Sequence, residues 1–265
     1  MSHKDIEGQG HGMTKTDFFG LTGKRALVTG ASSGLGAHFA ALLARHGAHV
    51  IAAARRTDAL ETLAEAIRAE GGHCEPCRLD VTDSASIKDL GDHIVELDIL
   101  INNAGVVRPG TALSMDEGDW DLTLDTNLKG LFLMAQAAAR AMVEAGKGGT
   151  IVNIASILGL RQGGSVTPYA VSKAGAVQMT KQLALEWARH GIRVNALAPG
   201  YLATELNGDY WVTEPGQAMI RRIPQRRLGQ LEDLDAPMLL LASDAAPYMT
   251  GSVLTVDGGH MLSTL

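Results

Sequence analysis

Tyr169 and Lys173 stand four residues apart in Y-A-V-S-K at 169–173, and no other Tyr of the chain has a Lys at that distance. On a helix this spacing projects both side chains from one face, one turn apart. An ammonium beside a phenol favours the phenolate and lowers its pKa. Such a Tyr can give or take a proton while a carbonyl and an alcohol interconvert. Taken alone, a Tyr/Lys pair at this spacing is usually an exposed or amphipathic helical pair and nothing more. Ser156 lies upstream, at the end of an apolar run. Its hydroxyl could polarise a substrate oxygen and orient it for proton transfer, or simply cap a turn. Asn127, in D-T-N-L-K-G at 125–130, falls within a long helical stretch where Asn is a poor helix former. Holding a water against Lys173 is one reason for an Asn there; a local kink is the other.

The elements that must position these residues alternate. Apolar runs of strand length occur at 25–29, 49–53, 74–80, 98–102, 150–155, 193–197 and 253–256, rich in Val, Ile and Leu. Strands buried on both faces read this way. Between them lie Ala- and Leu-rich stretches of helical length at 34–46, 58–70, 84–96, 116–145 and 167–190. Strand, helix, strand repeated in this order predicts right-handed crossovers. The expected fold is α/β: one doubly wound parallel sheet of seven strands with helices on both faces, a single domain over 18–265. Such a sheet binds ligands outside the carboxyl ends of its strands. Gly30, Arg55, Asp80, Asn103, Ser156 and Pro199-Gly200 all stand at those ends.

After the first run comes T-G-A-S-S-G-L-G at 29–36 and then a helix. Gly allows a tight turn and close approach of backbone to a ligand, and the helix start offers free N–H groups to a pyrophosphate. An ordinary strand-to-helix turn is the alternative for such a motif in isolation. At the end of the second run an acidic residue would accept from a ribose 2′-hydroxyl. This chain has Ala54 followed by Arg55 and Arg56. Guanidinium groups grip a 2′-phosphate, which favours NADP(H), although Arg can also stack on adenine, leaving NAD(H) possible. Asp80 is placed to accept from the adenine amino group, although Thr82 or Asp83 could equally make this a helix-capping sequence and leave Asp80 structural. The N-N-A-G of 102–105 is similarly either a ligand loop or an ordinary turn.

In order and at the strand ends, T-G-x-x-x-G-x-G at 29–36, N-N-A-G at 102–105, Asn127, Ser156, Y-x-x-x-K at 169–173, P-G at 199–200 and V-D-G-G at 256–259 resemble the single-domain branch of the short-chain dehydrogenase/reductase family. The resemblance covers nearly all of 19–265 and implies a Rossmann-type fold and an oxidoreductase. It implies Tyr169 as acid/base, Ser156 positioning the reacting oxygen, Lys173 holding the nicotinamide ribose and lowering the Tyr169 pKa, and Asn127 supporting a proton-relaying water. The cofactor would be held by Thr29, Gly30, Ser32, Ser33, Gly34, Leu35, Gly36, Arg55, Arg56, Asp80, Val81, Asn103, Ala104, Gly105, Tyr169, Lys173, Pro199, Gly200, Leu202 and Thr204. A 3-oxoacyl or other small ketone is the first substrate class implied, with a sugar-acid or polyol dehydrogenase of the gluconate type as the alternative. Enoyl reductases of this superfamily space Tyr and Lys more widely. A non-catalytic nucleotide-sensing regulator on the same fold is the rival from another class, and such proteins typically lose the Tyr or the Lys. Family members commonly form tetramers, so a homotetramer or a dimer is expected.

Composition narrows the partners. A net charge of −6 over 265 residues excludes a dominant non-specific nucleic-acid role. Two Cys make no disulfide scaffold and favour a reducing cytoplasm. No run of about 18 apolar residues is present to span a membrane. Residues 1–17 are polar and without periodicity, expected as a disordered leader or an expression remnant. C-E-P-C at 74–77 has redox or zinc spacing, but it lies on an expected strand and lacks further ligands, so structural thiols are the better reading. No metal site is expected. Between 201 and 227, Tyr210 and Trp211 suggest an apolar lid, and Arg221, Arg222, Arg226 and Arg227 form either an anion-attracting cluster or a solvated face.

Overall fold

The computed structural model describes residues 19–203 and 208–262. The expected leader at 1–17 and the expected cofactor residue Thr204 lie outside the described residues. Seven strands form one sheet: β1 (Arg25–Thr29), β2 (His49–Ala54), β3 (His73–Arg78), β4 (Ile99–Asn102), β5 (Gly149–Ile154), β6 (Ile192–Pro199) and β7 (Val253–Val256). Their order is β3-β2-β1-β4-β5-β6-β7, every pair parallel. The order reverses beside β1, where the chain leaves for β2 on one side and β4 lies on the other. That is the switch point at which such sheets take their ligands.

The strand period of two distributes the core between the two faces. Ala26 and Val28 of β1 pack with Phe39, Leu43, Leu60 and Met238, beneath α1 (Gly34–Arg45), α2 (Thr57–Ala69) and the C-terminal helix Asp235–Ala242. Leu27 faces the other way, with Leu100, Ile151 and Val194, against Met134, Ala138 and Leu183. Those last residues belong to α5 (Leu131–Ala145) and α6 (Thr167–Trp187). The same alternation separates the two cysteines. Cys74 joins the first face and Cys77 the second. Both are free and buried, and burial pushes the Cys74 thiol up to about 11 and raises that of Cys77.

Two helical stretches depart from their expected form. The stretch at 84–96 is helical only as α3 (Ser84–Lys88), N-capped by Asp83, whose carboxylate accepts from the Ala85 amide at 2.8 Å. It then tightens to a 3₁₀ turn at Gly91–Ile94, because Gly costs a continuing helix about 1 kcal/mol. The stretch at 116–145 is α4 (Glu117–Leu124) followed by a π-helical segment, Asp125–Gly130, before α5. The π turn contains Asn127, so a local distortion does accompany that residue. The remaining helices are α7 (Gly208–Trp211), α8 (Glu214–Ile220) and α9 (Asp235–Ala242).

A buried polar chain fixes the sheet to the helices beneath the switch point. Asn102 donates to the Leu131 carbonyl at 2.7 Å and to Asn153 at 3.3 Å; Asn153 donates to Thr180 at 3.0 Å; Thr180 donates to the Ala176 carbonyl at 2.8 Å. Buried polar groups are tolerated when paired in this way. They set the heights of β4, β5, α5 and α6 relative to one another.

Candidate active site

The carboxyl ends of β1 to β6 open into one cavity of about 730 Å³. From the first strand end, Gly30, Ser32, Ser33, Gly34, Leu35 and Gly36 line it. A Cβ on Gly36 would stand 2.3 Å from the Gly30 carbonyl oxygen. Only Gly therefore lets the helix start fold back onto the turn. Ser33 precedes α1 without capping it, and the first turn holds no acidic residue. The early N–H groups and the positive end of the helix dipole are left facing the cavity, as an anion site requires.

Thr29 does not line the cavity. Its hydroxyl accepts from the Asn103 and Ala104 amides at 2.9 and 3.0 Å, while the Asn103 side chain donates to the Thr29 carbonyl at 2.9 Å. The N-N-A-G loop is thereby clamped to the phosphate turn. Asn103, Ala104 and Gly105 line the cavity from the far side of that clamp. The pairing spans more than seventy residues of sequence, and no local signal announces it.

At the end of β2, Arg55 and Arg56 are exposed at the cavity rim. Arg56 donates to Ser32 at 3.0 Å and to Ser33 at 2.7 Å, so guanidinium and hydroxyl groups converge on one spot. Asp80 lines the cavity beside Val81 and accepts from the Thr82 hydroxyl at 2.7 Å and its amide at 3.0 Å. Those bonds, helped by the Arg55 and Arg78 charges, hold its carboxyl below the usual carboxylate range. Of the capping candidates, Asp83 caps the helix and Asp80 closes the turn before it.

The reacting residues converge from three elements. Ser156 follows β5 by two residues, and its hydroxyl accepts from the Leu158 amide at 3.1 Å. Tyr169 and Lys173 are on α6, with the ammonium 5.6 Å from the centre of the phenol ring. Ser156, Tyr169 and Lys173 line the cavity, as do Pro199, Gly200 and Leu202 after β6. Lys173 is 4% exposed and donates to the Ile154 carbonyl at 2.7 Å. Burial pushes its ammonium down to about 8. The expected lowering of Tyr169 is not the net result. Burial raises the phenol above its ordinary value, and contact with the Ser156 hydroxyl offsets part of that rise. The ammonium is aimed at the Ile154 carbonyl, so Ser156 supplies the opposing influence.

Asn127 is fully buried behind this wall rather than on it. Its side chain accepts from the Val106 amide and donates to the Val106 carbonyl, both at 2.8 Å, and donates to Ser172 at 3.1 Å. Ser172 in turn donates to the Tyr169 carbonyl at 2.7 Å. One chain of bonds thus runs from the loop after β4, through the π turn, to the backbone that carries Tyr169. Ser172 was not singled out from the sequence, although it sits between Tyr169 and Lys173. Gly159 was likewise passed over. A Cβ there would come within 2.6 Å of the Lys173 backbone, so Gly159 lets the Ser156 turn lie directly on α6.

Elsewhere the expected lid segment is built on aromatic contacts, with Tyr201 against Trp211 and Tyr210 against Trp211. Arg227 of the basic cluster is engaged by Asp233 at 2.5 and 3.0 Å. Among the described residues, no group of three or more His, Cys, Asp or Glu is placed to hold a metal, and no helix is long and apolar enough to cross a membrane.

A family model described as enoyl-(acyl carrier protein) reductase matches residues 30–261. The gluconate 5-dehydrogenase of Gluconobacter oxydans is 38% identical over 95% of this chain and 100% of its own. The 3-oxoacyl-[acyl-carrier-protein] reductase FabG of Thermotoga maritima is 38% identical over 91% of this chain and 99% of its own. Among solved structures, a short-chain type dehydrogenase/reductase from Mycobacterium marinum superposes with a TM-score of 0.88 at 42% identity, covering 94% of this chain and 99% of that one. A gluconate 5-dehydrogenase from Burkholderia cenocepacia, in complex with NADP and tartrate, gives a TM-score of 0.88 at 36% identity, again covering 94% and 99%. With its switch-point cavity, its glycine turn and its Tyr–Lys helix face, the chain belongs to the short-chain dehydrogenase/reductase family.

Proposed function

We propose that the protein is an NADP(H)-dependent oxidoreductase that interconverts a carbonyl compound and a secondary alcohol. One observation carries the reading: Ser156, Tyr169 and Lys173 meet on one wall of a cavity whose other end is the uncapped helix start and the Arg55–Arg56 rim. The residues present fit a dinucleotide bearing a 2′-phosphate. The Gly36 cradle and the first turn of α1 suit the pyrophosphate, Asp80 and Val81 the adenine, and Arg55, Arg56 and Ser32 the extra phosphate. NADP in the Burkholderia relative supports the same choice. When bound, the nicotinamide supplies or takes up a hydride at the substrate carbon.

The chain's own residues do the rest. Tyr169, whose ionisation burial opposes, donates its phenolic proton to the carbonyl oxygen during reduction and takes it back during oxidation. Ser156 orients that oxygen. Lys173, anchored on Ile154, has its ammonium beneath the phenol and holds the nicotinamide ribose. Asn127 keeps the loop after β4 and the Tyr169 backbone in register. It supports a proton-relaying water next to Lys173, whose ammonium lies 3.6 Å and its own amide oxygen 3.3 Å from the position of a Cβ on Gly105. An intact Tyr–Lys pair argues against a pure nucleotide sensor.

Relatives that act on 3-oxoacyl compounds and on gluconate are equally similar in sequence. The sugar-acid class is favoured by Tyr201 on the cavity wall and the Arg161 charge that acts on it. The same reading places the protein in the cytoplasm as a homotetramer or dimer. Exposed Val143 on α5 and Val171 and Leu185 on α6 offer an apolar face for assembly. Titrating NADPH and NADH against the purified chain, with Tyr169→Phe alongside, tests the reading. NADPH should bind the more tightly, and Tyr169→Phe should lower turnover by about 100-fold or more with cofactor affinity unchanged. Tighter NADH binding removes the 2′-phosphate assignment, and an active Tyr169→Phe removes the proton donor.

A further inference from the structure

The substrate end of the cavity has a wall that the proton chemistry does not use. Tyr201, directly after Pro199-Gly200, lines the cavity and lies near enough to Tyr169 to oppose that phenol's ionisation. Packing fixes its ring, edge-on to Trp211 with centroids 5.4 Å apart and tilted at 5.4 Å against His260. Its hydroxyl has no hydrogen-bond partner among the described residues. A Tyr held so firmly by its ring, with its polar tip unspent in a binding cavity, is placed to recognise something.

What surrounds Tyr201 indicates the charge of that something. Trp211 and His260 are each 7% exposed, and Trp211 Nε1 and His260 Nδ1 are buried without partners among the described residues. Buried unpaired polar atoms are costly and few in folded proteins. Arg161, on the loop between the Ser156 turn and α6, donates to the His260 carbonyl, and its charge acts on both Tyr201 and His260. Arg222 adds a second positive charge next to His260. Among the described residues the carboxylate acting on His260 is Asp257, and both its oxygens are occupied, by the Gly259 amide at 2.8 Å and the Met261 amide at 2.6 Å. Tyr210 also acts on Tyr201. Tyr201 alone of these groups lines the cavity, and the Arg161 charge and the unpaired polar atoms of Trp211 and His260 lie in the layer packed behind it.

We propose that this end takes the carboxylate of an acidic substrate, with Tyr201 donating a hydrogen bond to it and Arg161 supplying the charge. The substrate is then a hydroxy acid and its keto counterpart rather than a neutral polyol or an acyl thioester. The assignment rests on the oxidoreductase reading above and narrows it. A charge-assisted bond is about twice as strong as a neutral one, so a neutral analogue of the same shape loses most of this contact.

D-Gluconate and D-glucitol form a matched pair, since glucitol has a hydroxymethyl group where gluconate has its carboxylate. With NADP⁺ and the full chain, kcat/KM for gluconate should exceed that for glucitol by about tenfold or more. Tyr201→Phe keeps the ring wedge and should raise KM for gluconate by about tenfold, with kcat within about twofold and glucitol unaffected. Arg161→Gln keeps a donor for the His260 carbonyl and should bring gluconate level with glucitol, whereas Arg161→Lys should preserve the preference. The proposal is overturned if glucitol or a 3-oxoacyl thioester is the better wild-type substrate. It is also overturned if Tyr201→Phe depresses gluconate and glucitol alike, which marks a structural role. Calorimetric binding of the two compounds to Tyr169→Phe separates recognition from turnover. Selective gluconate binding there, with no turnover by the wild type, refutes the catalytic reading and leaves the carboxylate wall standing. Turnover of both compounds without preference refutes the wall and leaves the catalytic reading standing.

Discussion

Lys173→Met should make the protein more stable and inactive. Lys173 is 4% exposed, and burial alone lowers its ammonium from 10.5 to about 8. That difference corresponds to about 3 kcal/mol spent at neutral pH on keeping the charge in the interior. Met fills similar volume without the charge. Against this, the variant leaves the Ile154 carbonyl, now bonded at 2.7 Å, without its donor, at about 1–3 kcal/mol. The net expectation at pH 7 is a gain of about 0–2 kcal/mol, or an unfolding midpoint higher by up to about 4 °C. The pH dependence is the sharper test, because the carbonyl contribution does not titrate. Between the folded value near 8 and the unfolded 10.5, the unfolded wild type binds more protons than the folded, so wild-type stability rises with pH in that window. The stability difference, variant minus wild type, should therefore shrink by about 1.4 kcal/mol for each pH unit above 8. Thermal unfolding of both proteins at intervals from pH 6.5 to 9.5 measures it. A difference that does not change with pH refutes the claim that the ammonium is held buried at a cost.

Gly36→Ala puts a Cβ 2.3 Å from the Gly30 carbonyl oxygen and 2.7 Å from its carbon, both backbone atoms that cannot swing aside. Overpacking of that kind costs about 1–3 kcal/mol, and the unfolding midpoint should fall accordingly, with NADPH affinity lost alongside. Asn127→Ala removes both bonds to Val106 and the one to Ser172. It should destabilise by about 2–4 kcal/mol, and hydrogen exchange should show the loop after β4 opening faster than in the wild type.

The readings that came directly from the sequence are those governed by short-range rules. Apolar runs of strand length marked all seven strands, and the reading of C-x-x-C on one of them as structural thiols is met by Cys74 and Cys77, both free and buried. The glycine turn was legible because the constraint on Gly36 is set by Gly30, six residues away. Strand ends carried the polar residues, so the cavity could be located before any contact was known. The 116–145 stretch shows the limit. Composition predicts an unbroken helix there, while the buried Asn127 bonds to Val106 and Ser172 and a π turn forms around it.

By itself, the sequence determined the sheet, the position of the dinucleotide turn, the Arg rim and the Tyr169–Lys173 face. Each depends on residues within a few positions of one another and on a period of 2 or 3.6. Tertiary structure alone decided that Thr29 clamps Asn103 instead of lining the cavity, that Lys173 is aimed at Ile154, and that burial raises the Tyr169 phenol where the Lys alone would lower it. It also decided that Tyr201 faces the cavity with Arg161 and His260 behind it. Hydrogen-bond partners and desolvation depend on which distant segments pack together, and no local pattern of residue types encodes that distance.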